Sequence, residues 1–118
     1  MKLNKKKIAL IIGAGDYLGS ELAKKFAVGG LSVVVTRRRG DLTKLVTSIV
    51  SLGGEAIPFH TDARNENQVI ELIKNVETKL GQIDVLIYNV GGNVKHKILD
   101  TSSRIYLKVW EMFAFGGF

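Results

Sequence analysis

The sequence predicts a three-layer α/β fold built on half of a doubly wound parallel sheet. Apolar, strand-like runs alternate four times with segments of helical periodicity. Strict alternation is typical of a parallel sheet with right-handed crossovers and helices on both faces. The first run, Ile8 to Ile12, is apolar throughout, as expected of a strand buried on both faces. We therefore expect strand order 3-2-1-4 in a single domain over residues 1–118.

The composition limits the kinds of site and environment. The chain has 118 residues, 46% hydrophobic and 24% charged, which suits one domain with its own core. With no cysteine and only two histidines, we expect neither a disulfide framework nor a metal site. The basic start at residues 2–7 and the apolar run after it resemble a secretory signal, but the run is short. We expect a cytoplasmic protein that does not bind a membrane.

The first half of the chain reads as two strand–helix units. Apolar residues between 18 and 27 have helical spacing, and two glycines end that helix. Residues 31–36 are rich in β-branched side chains and indicate the second strand. Residues 41–54 predict a helix that Asp41 caps and two further glycines end.

The second half repeats the pattern. Residues 55–62 predict a short strand, which Pro58 places at an edge of the sheet. Residues 65–81 predict an amphipathic helix, and residues 83–92 an apolar strand that runs into glycines. The inward positions of the amphipathic helix are 69, 70, 72, 73, 76 and 80. A last helix is predicted over 100–115, with Asp100, Thr101 or Ser102 as its cap.

Glycines follow the first and the fourth predicted strands. Gly13, Gly15 and Gly19 come after the first, and Gly91 and Gly92 after the fourth. In a doubly wound sheet, ligands bind at the carboxyl ends of the strands where the order reverses, which here lies between these two strands. Glycine lets backbone amides approach a pyrophosphate, and the helix that follows favours an anion. This predicts a dinucleotide site, although a tight turn without a ligand also uses glycine.

The spacing of the first three glycines resembles one family in particular. Gly13-x-Gly15-x-x-x-Gly19 is similar to the G-x-x-x-G-x-G turn of the short-chain dehydrogenase/reductase family. Gly13 and Gly19 take its first and last glycine positions, Tyr17 takes the middle one, and Ile12 stands where threonine is usual. Two interpretations of Tyr17 stay open. Its ring crowds or stacks over the cofactor, or it points to solvent or the neighbouring loop from the first helical position.

Three further segments resemble the same family in the same order. They are "HTDA" (60–63), "DVLIYNVGG" (84–92) and "VWEMFAFGGF" (109–118). The resemblance covers essentially the whole chain. It implies a Rossmann-type fold that binds NAD(P) for hydride transfer between a carbonyl and an alcohol.

The resemblance also implies which residues contact the cofactor. The Asp62 carboxylate and the amide of Ala63 would contact the adenine, and Asn89 matches an asparagine of the family's D-x-L-[VI]-N-N-A-G segment. The full expected cofactor site is Gly13, Gly15, Asp16, Tyr17, Leu18, Gly19, Thr36, Arg37, Arg38, Asp62, Ala63, Asn89, Val90 and Gly91.

The end of the second strand predicts the type of dinucleotide. NAD enzymes of this architecture place a carboxylate there for the ribose hydroxyls, but from the end of this strand onward no acid occurs until Asp41. Thr36, Arg37 and Arg38 instead offer a hydroxyl and two guanidinium groups, which bind a 2′-phosphate well. We therefore expect NADP in preference to NAD. We expect Arg39 to lie in a solvated turn.

The residues that carry the family's chemistry are not found in this chain. The family uses a serine, an asparagine, and a tyrosine and lysine spaced Y-x-x-x-K. None of Tyr17, Tyr88 and Tyr106 has a lysine four residues later, and Phe113 stands at the position of the asparagine. Tyr88 also replaces an asparagine of the segment after the third helix. We expect no catalytic residue here, so whether the chain is an enzyme is uncertain.

The apolar end of the chain suggests an N-terminal part of a longer enzyme, truncated before the catalytic segment. Such an end exposes apolar surface, so we expect a homo-oligomer. A non-catalytic nucleotide-binding or regulatory module is the alternative function. A nucleic-acid binder that uses the net charge of +6 lacks a recognition motif, and we expect no nucleic-acid partner.

Overall fold

The computed structural model describes residues 5–92 and 94–118 and contains a four-stranded parallel sheet with order β3-β2-β1-β4. The predicted order 3-2-1-4 is therefore confirmed. Pro58 lies in β3, which is an edge strand as expected. The basic stretch at 2–7 lies partly outside the described residues. The strands are β1 (Ile8–Ile12), β2 (Ser32–Arg37), β3 (Glu55–His60) and β4 (Val85–Tyr88).

Four α-helices alternate with the strands, each within the predicted limits. A 3₁₀ turn at Ile98–Asp100 comes before the last helix, and a π-helical turn at Glu111–Phe115 continues it. None of the described helices is both long enough and apolar enough to span a bilayer. The helices are α1 (Leu18–Val28), α2 (Thr43–Ser51), α3 (Glu66–Lys79) and α4 (Ser103–Trp110).

Two apolar cores lie on opposite faces of the sheet, which gives the three predicted layers. All five residues of β1 are buried, so successive side chains supply both cores. Ala9 and Ile11 pack with α1 and α2, including Ile49, whereas Leu10 packs with Leu72 and Val76 of α3. A fully buried side chain of this size stabilises the fold by about 1.5–3 kcal/mol. The central strand is thereby fixed from both sides.

Two helices begin at side-chain caps, one of which is a candidate that the sequence offered. Asn65 caps α3, because its side chain accepts a hydrogen bond from the amide of Gln68 at 3.1 Å. Ser102, one of three candidates, caps α4. Two expectations are wrong. Asp41 accepts a bond from the Thr43 amide at 2.8 Å but lies one residue before the cap position. Ile70, predicted to face inward, is 53% exposed.

The register of the sheet brings three strand ends to one level. Ile12 pairs with Thr36 of β2 on one side and with Tyr88 of β4 on the other. The chain leaves β1 at Gly13 and β4 at Asn89, so both loops begin at the same edge of the sheet. This edge is where the sequence predicts the ligand site.

Candidate functional site at the carboxyl edge of the sheet

A cavity of about 710 Å³ opens at the carboxyl ends of β1, β2 and β4. Its volume falls within the range that small-molecule and cofactor sites usually have. Every predicted cofactor residue except Thr36 lines it. These residues are Gly13, Gly15, Asp16, Tyr17, Leu18, Gly19, Arg37, Arg38, Asp62, Ala63, Asn89, Val90 and Gly91.

Two of the three loop glycines are required by close backbone contacts. Gly13 has φ +90°, a conformation that residues with a Cβ rarely adopt. A Cβ there would collide with the Asn89 carbonyl, and a Cβ at Gly19 would collide with the Gly13 carbonyl. A Cβ at Gly15 would meet nothing within 4 Å. Gly13 and Gly19 thus shape the turn, whereas Gly15 leaves open space beside it.

Hydrogen bonds from both neighbouring strands hold this turn. The backbone oxygen of Thr36 accepts from the amides of Gly13 at 3.0 Å and Ala14 at 2.7 Å. On the other side, the Asn89 side-chain amide donates to the Gly13 oxygen at 3.1 Å. Asn89 therefore acts here by fixing the loop that begins at β1.

The structure corrects the role predicted for Thr36. Its side chain is fully buried, and its hydroxyl donates to the backbone oxygen of Ile11 at 3.1 Å. The hydroxyl therefore offers nothing to a ligand in the cavity. The sequence placed Thr36 correctly at the end of β2 but could not show which way its side chain points.

The turn before α1 and the start of α1 line the cavity and contain backbone donors without a partner among the described residues. The Ser20 amide donates to the Gly15 oxygen at 2.9 Å. Across residues 5–92 and 94–118, no hydrogen bond to a protein acceptor is donated by the amides of residues 15–19. These amides lie at a helix N-terminus, where the helix dipole also favours an anion. The arrangement can bind a diphosphate through backbone N–H groups alone.

Tyr17 does not block these donors. The residue is 88% exposed and lies at the N-cap position of α1. This agrees with the interpretation in which the ring points to solvent rather than into the turn. The side chain at the usual glycine position therefore lies at the rim of the cavity.

Arginines supply positive charge where β2 ends. Arg37, Arg38 and also Arg39, which the sequence analysis read as a solvated turn, line the cavity. Nη1 of Arg37 lies 3.0 Å from Oδ1 of Asp16. Arg38 is exposed, and within the described part of the chain it forms no ion pair. Arg38 is thus available to an anionic ligand group.

Asp62 is held by a residue that sequence reasoning missed. Its carboxylate accepts bonds from the backbone amide, Nε and Nη2 of Arg64, at 3.0, 3.0 and 2.9 Å. The Arg64 bonds keep the pKa of Asp62 below its ordinary value. A carboxylate has about four acceptor positions, so one remains for an adenine amino group. The backbone amide of Asp62 donates to Gln68 at 2.8 Å.

The segment after α4 closes one end of the cavity. The hydroxyl of Tyr88 donates to the backbone oxygen of Met112, and burial raises the pKa of that hydroxyl. The Phe113 ring lies against Gly91, and both residues line the cavity with Met112. Met112 and Phe113 were not predicted to line the site, because only the tertiary contact through Tyr88 brings them there.

The described residues show neither a metal centre nor the family's catalytic set. No group of three or more histidine, cysteine, aspartate or glutamate side chains among them could hold a metal ion. The position expected for the catalytic asparagine carries Phe113. The described site thus contains backbone amides and arginines that suit an anionic ligand.

A comparison with known families identifies the architecture. The model of the short chain dehydrogenase family matches residues 7–118. The chain belongs to the short-chain dehydrogenase family. A short-chain dehydrogenase structure from Rhodopseudomonas palustris is 41% identical, with a TM-score of 0.87 over 98% of this chain and 54% of that one.

Other members of the family show similar agreement. The 7α-hydroxysteroid dehydrogenase of Escherichia coli (strain K12) is 34% identical over 113 residues, 95% of this chain and 44% of that protein. A 7α-hydroxysteroid dehydrogenase solved with NADH and 7-oxo glycochenodeoxycholic acid is 33% identical, with a TM-score of 0.86, covering 93% of this chain and 43% of that one.

An actinorhodin polyketide ketoreductase solved with NADPH is 26% identical, with a TM-score of 0.91, covering 99% of this chain and 45% of that one. This short-chain dehydrogenase chain therefore spans about half the length of its relatives.

Gly15 and Gly19 differ in a way that mutation can test. Gly19→Ala should lower the free energy of unfolding by about 1–3 kcal/mol, because the new methyl group overpacks the turn. Gly15→Ala is the matched control. It meets open space and should leave stability unchanged or raise it by up to about 1 kcal/mol. Urea unfolding of both variants measures this, and equal effects would contradict the described turn.

The Asp62–Arg64 interaction predicts a pH dependence. Because the pKa of Asp62 is lower in the folded state, its ionised form stabilises the fold above the ordinary value of 3.8. That contribution is lost as the pH falls through the folded-state pKa. Asp62→Asn should therefore be less stable than wild type at pH 7, and the difference should shrink below pH 3.8.

Urea unfolding at a series of pH values measures the Asp62 effect. Glu71→Gln, an exposed change in α3, is the control and should show no such convergence with wild type. A difference between Asp62→Asn and wild type that stays constant with pH would contradict this role of Asp62.

Proposed function

We propose that this chain is the NADP(H)-binding part of a short-chain oxidoreductase that transfers hydride between a nicotinamide cofactor and a carbonyl or alcohol. The observation that carries the proposal is the row of unpaired amides at residues 15–19, which line the cavity at the start of α1. A dinucleotide has a diphosphate of matching charge and size. The cavity volume of about 710 Å³ also suits such a ligand.

The residues present fit the cofactor at both ends of the cavity. Amides 15–19 would hold the diphosphate, and Asp62 with the Ala63 amide would hold the adenine. Asn89 would act by keeping the glycine turn in place. The nicotinamide ring supplies the hydride chemistry when the cofactor is bound. This chain's own residues bind and orient the cofactor.

The preference for NADP follows from charge at the end of β2. Relatives have been solved with NADPH and with NADH, so family membership does not decide between them. In this chain three arginines, Arg37, Arg38 and Arg39, follow Thr36, and no acid occurs between Thr36 and Asp41. Guanidinium groups bind a phosphate bidentately, whereas a carboxylate would favour ribose hydroxyls. Arg38 is the proposed first contact, because it is exposed and has no ion-pair partner in the residues described.

We also propose that these 118 residues turn over no substrate alone. No tyrosine of the chain has a lysine four residues later, and Phe113 stands where the family's asparagine is expected. These features equally favour the second candidate function, a nucleotide-binding or regulatory module without hydride transfer. In both cases we place the protein in the cytoplasm. We propose self-association through exposed apolar residues of α4, such as Leu107 and Trp110.

Binding by charge-matched variants tests the cofactor preference. Titration of the full chain should show tighter binding of NADPH than of NADH. Arg38→Ala should raise the Kd for NADPH about 10- to 100-fold, because it removes a charge-assisted phosphate contact, and should leave the Kd for NADH nearly unchanged. Arg104→Ala, which removes the same charge from the exposed face of α4, should affect neither.

Equal affinity for both dinucleotides would contradict the NADP preference, and binding of neither would contradict the proposed function. A panel of carbonyl substrates with NADPH should give no turnover. Clear turnover would overturn the proposed inactivity of the chain alone.

A further inference from the structure

We propose that Asp16 is a specificity-determining residue of this site: its carboxylate competes with the 2′-phosphate of the cofactor for Arg37 and so limits the selectivity for NADP(H) over NAD(H). The inference rests on the proposed function. It goes beyond it by assigning opposite effects to two charged residues that line the same cavity, Asp16 and Arg38.

The first support is the ion pair itself. Oδ1 of Asp16 lies 3.0 Å from Nη1 of Arg37. Asp16 belongs to the glycine turn after β1, and Arg37 ends β2, so the pair joins two sides of the cavity mouth. To bind a 2′-phosphate, the Arg37 guanidinium would have to bind it beside the Asp16 carboxylate or release that carboxylate.

The second support is how firmly Arg37 is placed. Its guanidinium lies against Gly40, where a Cβ would stand 3.0 Å from Cζ, and Gly40 has φ +93°. The His60 ring nitrogen contacts the Gly40 oxygen at 2.7 Å and so fixes this stretch of backbone. The Arg37 side chain is only 24% exposed. Arg37 is thus held by backbone on one side and by Asp16 on the other.

The third support is electrostatic. A 2′-phosphate carries a charge of about −1.5 to −2 near neutral pH, and a carboxylate beside its binding group repels it. The Asp16 side chain is 79% exposed, so solvent weakens this repulsion without removing it. Arg38 forms no ion pair within the described residues, although the Asp62 carboxylate is near enough to interact with its charge. We infer that Arg38 provides the main attraction for the 2′-phosphate. The attraction between Arg37 and the phosphate is partly cancelled by Asp16.

The sign of the effect separates this inference from a simpler one. If Asp16 only oriented Arg37 for the phosphate, its removal would lower the affinity for NADPH relative to NADH. If Asp16 competes, its removal raises the relative affinity. An effect of Asp16 on the nearby diphosphate would change the Kd of NADPH and the Kd of NADH by the same factor. Such an effect therefore cancels in the ratio of the two Kd values.

The test uses the full chain and measures the Kd of NADPH and NADH by calorimetry. Asp16→Asn should raise the ratio of the NADH Kd to the NADPH Kd by about threefold to tenfold. Glu21→Gln is the matched control, because Glu21 lies in the first turn of α1 and, like Asp16, forms an ion pair with a basic side chain, here Lys24 at 3.0 Å. The control should leave the ratio within about 1.5-fold of wild type.

Arg37→Gln makes the test specific to the pair. If Asp16 acts through Arg37, Asp16→Asn in the Arg37→Gln background should no longer raise the ratio. The same comparison with adenosine 2′,5′-bisphosphate and adenosine 5′-monophosphate limits the readout to the end of the site that carries the 2′-phosphate. Circular dichroism confirms that each variant is folded.

Each outcome decides one question. A raised ratio for Asp16→Asn that disappears without Arg37 supports the inference. An unchanged or lowered ratio overturns it, while the wild-type binding of NADPH still supports the proposed function. If the folded wild-type chain binds neither dinucleotide, the proposed function fails, and the inference fails with it.

Discussion

The attachment of the glycine turn to both neighbours of β1 is the constraint on which the site depends. The Thr36 oxygen of β2 accepts two amide hydrogen bonds from the start of the turn, and the Asn89 side chain after β4 donates one to the oxygen of Gly13. These contacts leave no room for a Cβ at Gly13 or Gly19. The amides of residues 15–19 follow this fixed turn at the edge of the cavity, and they donate to no other group in the part of the chain that the structure describes.

Strand order, helix order and most of the cavity lining were predictable because they depend on local pattern. The apolar run of β1 indicates a doubly buried strand, and the glycines that follow β1 and β4 indicate where the sheet binds a ligand. The direction of the Thr36 side chain was not predictable. In a buried strand a hydroxyl can face a ligand or bond to a neighbouring strand, and here it donates to Ile11.

Most of the remaining differences arise from contacts between residues far apart in sequence. The exception is the bond between Asp62 and Arg64, which are two residues apart, because the pattern D-x-R alone does not reveal it. Phe113 reaches the cavity because Tyr88 bonds to the neighbouring Met112 and the ring fits against Gly91. The pairing of Asp16 with Arg37 likewise joins the loop after β1 to the end of β2. Such pairings depend on the assembled sheet, and no single segment encodes them.

The central claim is that the amides of residues 15–19 bind the diphosphate of a dinucleotide. Proton–nitrogen correlation spectra of the ¹⁵N-labelled chain, recorded as NADPH is added, test it most directly. The account predicts that the largest shift changes occur at these five amides, with smaller ones at the end of β2. Large changes confined to α3 or α4, with the amides of the glycine turn unmoved, would contradict it.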